Sequence, residues 1–251
     1  MEQIKTQAVV LRTVAYKDND KLLTLFSLEN GKIFAGIKGV LKPKAKLAFA
    51  AQPFCFGTFH LAQKGTYSTV VGCDAEDLFF DITKDIERYY YGATLLEICD
   101  ILVKENEPNV ALFINLLKAL KLLAYDKCEP LAVVNKFVID ALKFAGYKID
   151  FLKCKKCLNE TINKPFFSFS RGGVVCFPCA SREYPGDIKE LSNGEFAIFK
   201  LLQGVEIENL TRYKFSSQQN LLSCLKLLVA FFAEKTECKI KSCEQLFKMI
   251  G

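Results

Sequence analysis

Four cysteines in two closely spaced pairs are the residues of this chain best suited to chemistry. Cys154 and Cys157 form one CxxC pair, and Cys176 and Cys179 form a second, with 18 residues between the pairs. Two such turns can direct four thiolates at one ion and complete a tetrahedral Zn²⁺ site. Because four thiolates leave no position open for water, the pattern predicts a structural zinc ribbon. The alternative is two incidental CxxC pairs in a chain with 11 cysteines.

Groups for covalent or hydrolytic catalysis are sparse. The chain has no GxxxxGK[ST] phosphate loop, and its single histidine, His60, has no second histidine with which to share a catalytic role. Carboxylates cluster at two predicted strand ends, where capping a turn is commoner than binding two catalytic metals: Asp18 with Asp20, and Asp74 with Glu76 and Asp77. We therefore predict that the protein is not an enzyme. A zinc hydrolase is the enzymatic alternative.

Positive charge is concentrated in the first quarter of the chain. Residues 1–64 hold ten Lys and Arg against four Asp and Glu, whereas the remainder balances at 24 of each. A basic head on a neutral body favours a polyanionic partner, although a solvated surface is the alternative. The predicted phosphate contacts on and beside the loop from Val40 to Lys46 are Lys38, Lys42, Lys44 and Lys46. Four further cations extend this basic track across the same domain: Arg12, Lys17, Lys21 and Lys32.

Short runs of strand-forming residues occupy residues 3–79. Five are separated by turn signals, including Asn30-Gly31 and Lys64-Gly65, and the last run begins at Thr66. Five short strands in a basic domain predict a small barrel of the OB-fold type. Three aromatic side chains are candidates for stacking on bases: Tyr16, Phe34 and Tyr67. Of these, Phe34 is interpreted as a core residue.

Helical periodicity begins at Asp81. The fold class is thus α+β and multidomain, with an OB-fold at 1–80, helices at 81–150, the zinc ribbon at 151–182 and further helices at 183–251. In the first helix Ile86 and Tyr90 are predicted on the buried face, and Ser192 with Glu195 resembles a capping box. No apolar run is long enough to cross a membrane, and the first residues lack a secretory segment, which predicts a cytosolic protein without a membrane partner.

The last long helical pattern, Leu221 to Phe232, has a broad apolar stripe followed by lysines. An apolar groove with a basic edge suits a short acidic tail that ends in an aromatic residue. The predicted partner-binding residues are Lys235, Lys239 and Lys241. Ordinary core packing followed by a solvated helix end is the alternative.

Several segments, in order and at matching spacing, resemble the RecO family of bacterial recombination mediators along nearly the whole chain. The matching segments are Ala8–Thr13, Tyr16–Phe26, Lys38–Lys46, Gln52–Phe54, the two cysteine pairs with Phe167–Phe169 and Gly172–Cys176 between them, and Lys239–Ser242. The resemblance implies an OB-fold, a helical domain and a zinc ribbon.

The resemblance also implies a function. It implies binding of single- and double-stranded DNA, strand annealing, recombinase loading in the RecF pathway, a partnership with RecR, and contact with the C-terminal tail of the single-stranded-DNA-binding protein. The basic residues above are then DNA-binding residues, and the acidic tail is that of the single-stranded-DNA-binding protein. The alternative is an RNA- or ribosome-binding OB-fold module with a structural zinc ribbon.

Overall fold

The computed structural model describes residues 2–65 and 67–250. The chain forms two compact units that divide between Tyr125 and Asp126. The division falls inside 81–150, the range predicted as the first part of a separate helical domain. No helix of the described residues combines the length and the apolar character that a bilayer crossing requires.

Five strands in the first unit close into a barrel, in the order β1-β2-β3-β5-β4. Neighbouring strands pair antiparallel, except that β3 and β5 pair parallel. The strands are β1 (Glu2–Tyr16), β2 (Asp20–Ser27), β3 (Gly31–Ile37), β4 (Phe56–Lys64) and β5 (Tyr67–Asp77). This closed five-stranded barrel confirms the predicted OB-like architecture. The predicted start of the last strand, Thr66, lies outside the described residues.

The turn between β2 and β3 confirms the hairpin predicted at Asn30-Gly31. Ser27 pairs with Gly31 across a three-residue loop. Gly31 has φ +67°, and a Cβ atom there would lie 2.4 Å from the backbone oxygen of Glu107. The position requires glycine, because both the backbone angle and the close approach exclude a side chain.

Three helices complete the first unit: α1 (Phe80–Thr83), α2 (Ile86–Leu102) and α3 (Val110–Tyr125). The ring of Phe113 on α3 meets Phe26 of β2 edge-on, with 5.2 Å between centroids, so this helix shares a core with the barrel. The buried face predicted for α2 is partly wrong, since Ile86 is 64% exposed. The helix packs against β1, and its buried residues include Tyr91, Leu95 and Ile98.

The second unit combines helices with a small sheet. Its elements are α4 (Pro130–Phe144), β6 (Pro165–Ser168), β7 (Gly173–Cys176), α5 (Phe177–Ala180), β8 (Ile188–Glu190), α6 (Asn193–Gly204), α7 (Gln218–Thr236) and α8 (Lys241–Ile250). Nearly all of α4 is buried, and it packs against α6 and α7. Ser192 and Glu195 form the predicted capping box at the start of α6.

The sheet extends beyond residue 182, the predicted end of the ribbon. Its order is β7-β6-β8, and β8 pairs with β6 although residues 183–251 were predicted as helical. Phe151 joins this sheet to α6, because its ring stacks on Phe199 with 4.2 Å between centroids. Aromatic packing of this kind supplies a core that the short strands cannot supply alone.

Candidate metal centre and nucleic-acid interface

The four predicted metal ligands converge. Cys154 and Cys157 lie on a turn after Phe151, whereas Cys176 ends β7 and Cys179 lies in α5. All four Sγ atoms lie within 4.8 Å of one another, and Cys157 Sγ is 3.7 Å from Cys176 Sγ. Four thiolates around one Zn²⁺ at about 2.3 Å form a tetrahedron with edges of about 3.8 Å. The cluster therefore has the dimensions of a site for one metal ion.

Electrostatics within the cluster also suit a cation. Burial raises the pKa of Cys154, but backbone N–H groups of Cys157, Cys176 and Lys156 donate to its sulfur and lower the pKa to about 6. Burial and the neighbouring cysteine sulfurs raise the pKa of Cys179 to about 12. One thiolate thus forms readily, while further negative charge is disfavoured until a cation neutralises it.

A salt-bridge cluster ties the ribbon together around Glu183. Its carboxylate accepts from Lys156 at 2.8 Å and lies 3.1 Å from Arg171, which joins the first cysteine turn to the β6–β7 hairpin. The hydrogen bond from Lys156 is the main reason that the pKa of Glu183 is lowered. Lys156 is therefore engaged within the ribbon.

The basic loop after β3 is held against the turn between β1 and β2. The backbone N–H of Gly39 donates to Asp20 Oδ1 at 2.8 Å, and Leu41 N–H donates to the carbonyl of Asn19 at 3.1 Å. Between the two segments lies an open cleft of about 440 Å³, lined by Lys17, Lys38 and Lys42 together with Asp18 and Asp20. Tertiary contacts thus bring cations from two loops to one place.

Beside this cleft, the barrel exposes apolar side chains that we call the outer face, defined as Val14, Tyr16, Leu22 and Phe34. Val14 of β1 pairs with Leu22 of β2. Two residues further along β2, Thr24 lies between its pairing partners Arg12 of β1 and Phe34 of β3. Phe34 is 50% exposed, so its interpretation as a core residue is wrong. It points outward because its neighbours Ile33 and Ala35 take the inward positions of the pleat.

The other outer-face residues are also about half exposed. Lys17 Nζ lies 5.2 Å from the centroid of the Tyr16 ring, which places a cation beside an aromatic surface. Tyr67 is exposed at the start of β5. The sequence interpretation missed Val14 and Leu22. The signal that identifies them is the alternation of inward and outward positions along β1 and β2.

The predicted phosphate contacts have different surroundings. Lys21 is half-buried and donates to the carbonyl of Ala51 at 3.2 Å. Lys32 is paired with Asp100 at 2.9 Å, and its side chain is only 15% exposed, so little of it is accessible to a phosphate. Six cations are exposed and have no ion pair within the described residues: Arg12, Lys17, Lys38, Lys42, Lys44 and Lys46.

The prediction of an apolar groove on the last long helix is wrong. The apolar stripe of α7, from Leu221 to Phe232, is buried as core. Lys235 lies 2.9 Å from Glu234, with its Nζ 5.1 Å from the centroid of the buried Phe231 ring. Lys239, which follows α7, and Lys241, which begins α8, are exposed.

The carboxylate clusters serve local structure. Asp20 caps the loop at Gly39, and Asp77 accepts the backbone N–H of Phe79 at 2.8 Å. His60 Nε2 lies 2.8 Å from Asp74 Oδ2 on the barrel surface. In the described part of the chain these carboxylates act as turn caps and surface partners.

Comparison with known proteins agrees with this architecture. Residues 1–79 match the family described as Recombination protein O N terminal, and residues 83–244 match Recombination protein O C terminal. Several similar proteins carry the name DNA repair protein RecO. The relative from Acetivibrio thermocellus is 31% identical over 86% of this chain and 85% of its own. The relative from Desulforamulus reducens is 30% identical over 99% and 96%, and that from Pelotomaculum thermopropionicum is 35% identical over 80% and 77%.

These matches include residues of both compact units and all four cysteines of the metal cluster. The barrel, the helical part and the convergent cysteines are the features that the sequence resemblance implied. The chain therefore belongs to the RecO family of DNA repair proteins.

Proposed function

We propose that this protein is a non-enzymatic recombination mediator that binds single- and double-stranded DNA, anneals complementary strands and helps to load recombinase in the RecF pathway. The observation that carries the proposal is the outer face of the barrel beside six exposed cations. Bases of any sequence can stack on exposed aromatic side chains, while lysines neutralise phosphates without reading bases. Binding is then largely independent of sequence.

Strand annealing follows from the same chemistry. Two DNA strands repel each other through their phosphates, and a cationic surface that displaces counterions from both strands reduces that repulsion. Neither covalent chemistry nor nucleotide hydrolysis is needed. Within the proposal the protein acts in the cytoplasm with RecR and with the C-terminal tail of the single-stranded-DNA-binding protein, as the family resemblance implies.

We also propose that the metal is one structural Zn²⁺ held by Cys154, Cys157, Cys176 and Cys179. The sulfur set supports this assignment, because four thiolates prefer zinc over harder ions such as Mg²⁺ and Ca²⁺. The ion stabilises the ribbon and leaves no ligand position open for substrate. DNA contacts on the barrel then do not depend directly on the metal.

The test of DNA binding removes one aromatic ring from the outer face. Phe34→Ala is expected to weaken binding of a labelled oligo-dT strand about 5- to 150-fold, since stacking contributes about 1–3 kcal/mol per base. Duplex binding should change less, because paired bases are already stacked on each other. Fluorescence anisotropy gives both affinities, and a thermal melt confirms that the variant is folded.

Ile114→Ala is the matched control, because this apolar side chain on α3 is also nearly half exposed but lies away from the outer face. It should bind both DNA forms like the wild type. Equal loss in both variants, or none in Phe34→Ala, contradicts the proposal. Tighter binding of an RNA strand of equal length favours the RNA-binding alternative.

A further inference from the structure

A second concave site lies in the first unit, between α1 with the start of α2 and the segment that follows the 3₁₀ turn Phe49–Ala51. Its volume is about 370 Å³, within the range of sites that bind small molecules or side chains. Most of its lining is apolar, and the main contributors are Phe49, Pro53, Phe54, Leu78, Phe80 and Tyr89. Neither the cysteine cluster nor the outer face contributes to it.

Two phenylalanines at this cavity have strained backbones. Phe54 has φ +73° and Phe79, between two lining residues, has φ +46°, yet neither residue is glycine or asparagine. Bulky residues rarely adopt left-handed angles, and such strain persists only where the surrounding structure enforces it. Both side chains are buried, and the Phe54 ring meets Tyr89 edge-on at 5.7 Å.

Helix α2, behind the cavity, packs closely against the ring of Phe54. A Cβ atom on Gly92 would lie 2.8 Å from the ring of Phe54. Phe80, by contrast, is 62% exposed at the mouth of the cavity. The cavity therefore has a rigid aromatic floor and an accessible aromatic edge, which is the arrangement that receives an apolar side chain from outside.

The charge around the cavity differs from that of the outer face. Residues 74–88, which form one wall and its surroundings, carry six carboxylates against Lys84 and Arg88. Lys84 lies 2.6 Å from Asp81, whereas Arg88 donates to the carbonyl of Leu123 and keeps its charge, so two cations against six carboxylates leave this segment a net charge of −4. The opposite wall, residues 47–56, has no charged residue of its own, and Lys21 Nζ donates to the carbonyl of Ala51 within it.

We propose that this cavity docks a basic segment of a partner protein that inserts one aromatic or aliphatic side chain between Phe54, Phe80 and Tyr89. The apolar floor receives the anchor, and the carboxylates attract its lysine or arginine neighbours. The same field repels nucleic acid and any acidic tail. The site is thus separate from the proposed DNA surface, and its failure would leave the DNA proposal standing.

The absence of tryptophan from the chain provides a direct assay. A hexapeptide with a central Trp-Leu pair and two lysines on each side is the probe, and its emission shifts to the blue when tryptophan enters an apolar site. Peptides with aspartates in place of the lysines, or with alanines in place of the central pair, are the comparisons. We expect saturable binding of the basic apolar peptide only.

Variants of the full chain locate the site. Phe80→Ala removes the exposed edge and Thr83→Phe fills the mouth without adding a tryptophan to the chain, and each should weaken peptide binding at least tenfold. Asp85→Asn with Glu87→Gln removes two charges while keeping the helix cap and the hydrogen bond to Tyr91. This pair should weaken binding severalfold and reduce its salt dependence.

Ile86→Ala is the matched control, because Ile86 is equally exposed but does not line the cavity. It should bind the peptide like the wild type, and oligo-dT affinity should remain unchanged in every variant. Preference for the acidic peptide, the absence of saturable binding, or unchanged binding by both Phe80→Ala and Thr83→Phe would each overturn the proposal.

Discussion

Replacing Lys42, Lys44 and Lys46 together by alanine tests whether the basic loop carries DNA. All three side chains are exposed and have no ion pair within residues 2–65 and 67–250. Their loss should therefore leave the folded core almost unchanged, since surface substitutions of this kind typically shift stability by less than about 0.5 kcal/mol. The perturbation removes half of the six exposed cations near the outer face.

The expected magnitude follows from counterion release. Each phosphate contact on a single strand contributes about −0.7 to the slope of log affinity against log salt, so six contacts give roughly −4 and three give roughly −2. Between about 50 and about 200 mM salt, affinity should fall about 300-fold for the wild type but only about 20-fold for the variant. At about 0.1 M salt the variant should bind about 100-fold more weakly.

The assay is a salt titration of oligo-dT binding by fluorescence anisotropy. A second triple variant, Lys5, Lys64 and Lys121 to alanine, makes the same change in net charge at exposed positions elsewhere in the first unit. It should retain the wild-type slope. If the loop variant also keeps the wild-type slope and affinity, the DNA does not lie on this loop and the reasoning fails.

Three further outcomes are expected from the second unit. Cys176→Ser should lose the single zinc measured by elemental analysis, whereas Cys238→Ser, an exposed thiol outside the cluster, should keep it. Lys136→Met should lower the free energy of unfolding by about 3 kcal/mol, because it leaves the buried Asp140 carboxylate 2.7 Å away without its cation. Adding Asp140→Leu to Lys136→Met should recover most of the lost free energy of unfolding, measured by denaturant titration. A double variant less stable than Lys136→Met alone would contradict this expectation. Ser192→Ala should cost about 1 kcal/mol by removing the cap of α6, measured in the same way, and no change would refute the cap's role.

Patterns that act over a few residues could be predicted from the sequence. Each CxxC spacing placed two sulfurs together, because a turn of four residues can hold both close to each other. The turn at Asn30-Gly31 and the capping box of Ser192 with Glu195 were predicted for the same reason. In each case the interacting atoms are close along the chain, so their geometry depends on local backbone angles.

The tertiary structure decided which side chains remain accessible. Alternation along a strand shows that neighbouring residues face opposite sides, but not which side another element covers. Phe34 was assigned to the core, yet its ring is half exposed. The apolar stripe of α7 had the opposite outcome, because α4 and α6 pack against that helix.

Partners distant in sequence account for the rest. Lys32 has the positive charge that a phosphate contact needs, but its ammonium group forms a salt bridge with Asp100, which is 68 residues away along the chain. The cavity at Phe54 forms only where the segment before β4 meets α1 and α2, and its strained backbone has no local sequence signature. Residue type and spacing thus determined the two cysteine turns and the basic loop. Long-range packing decided which charged side chains are free of ion pairs and which apolar surfaces remain exposed, because these properties depend on contacts between elements that are distant in the sequence.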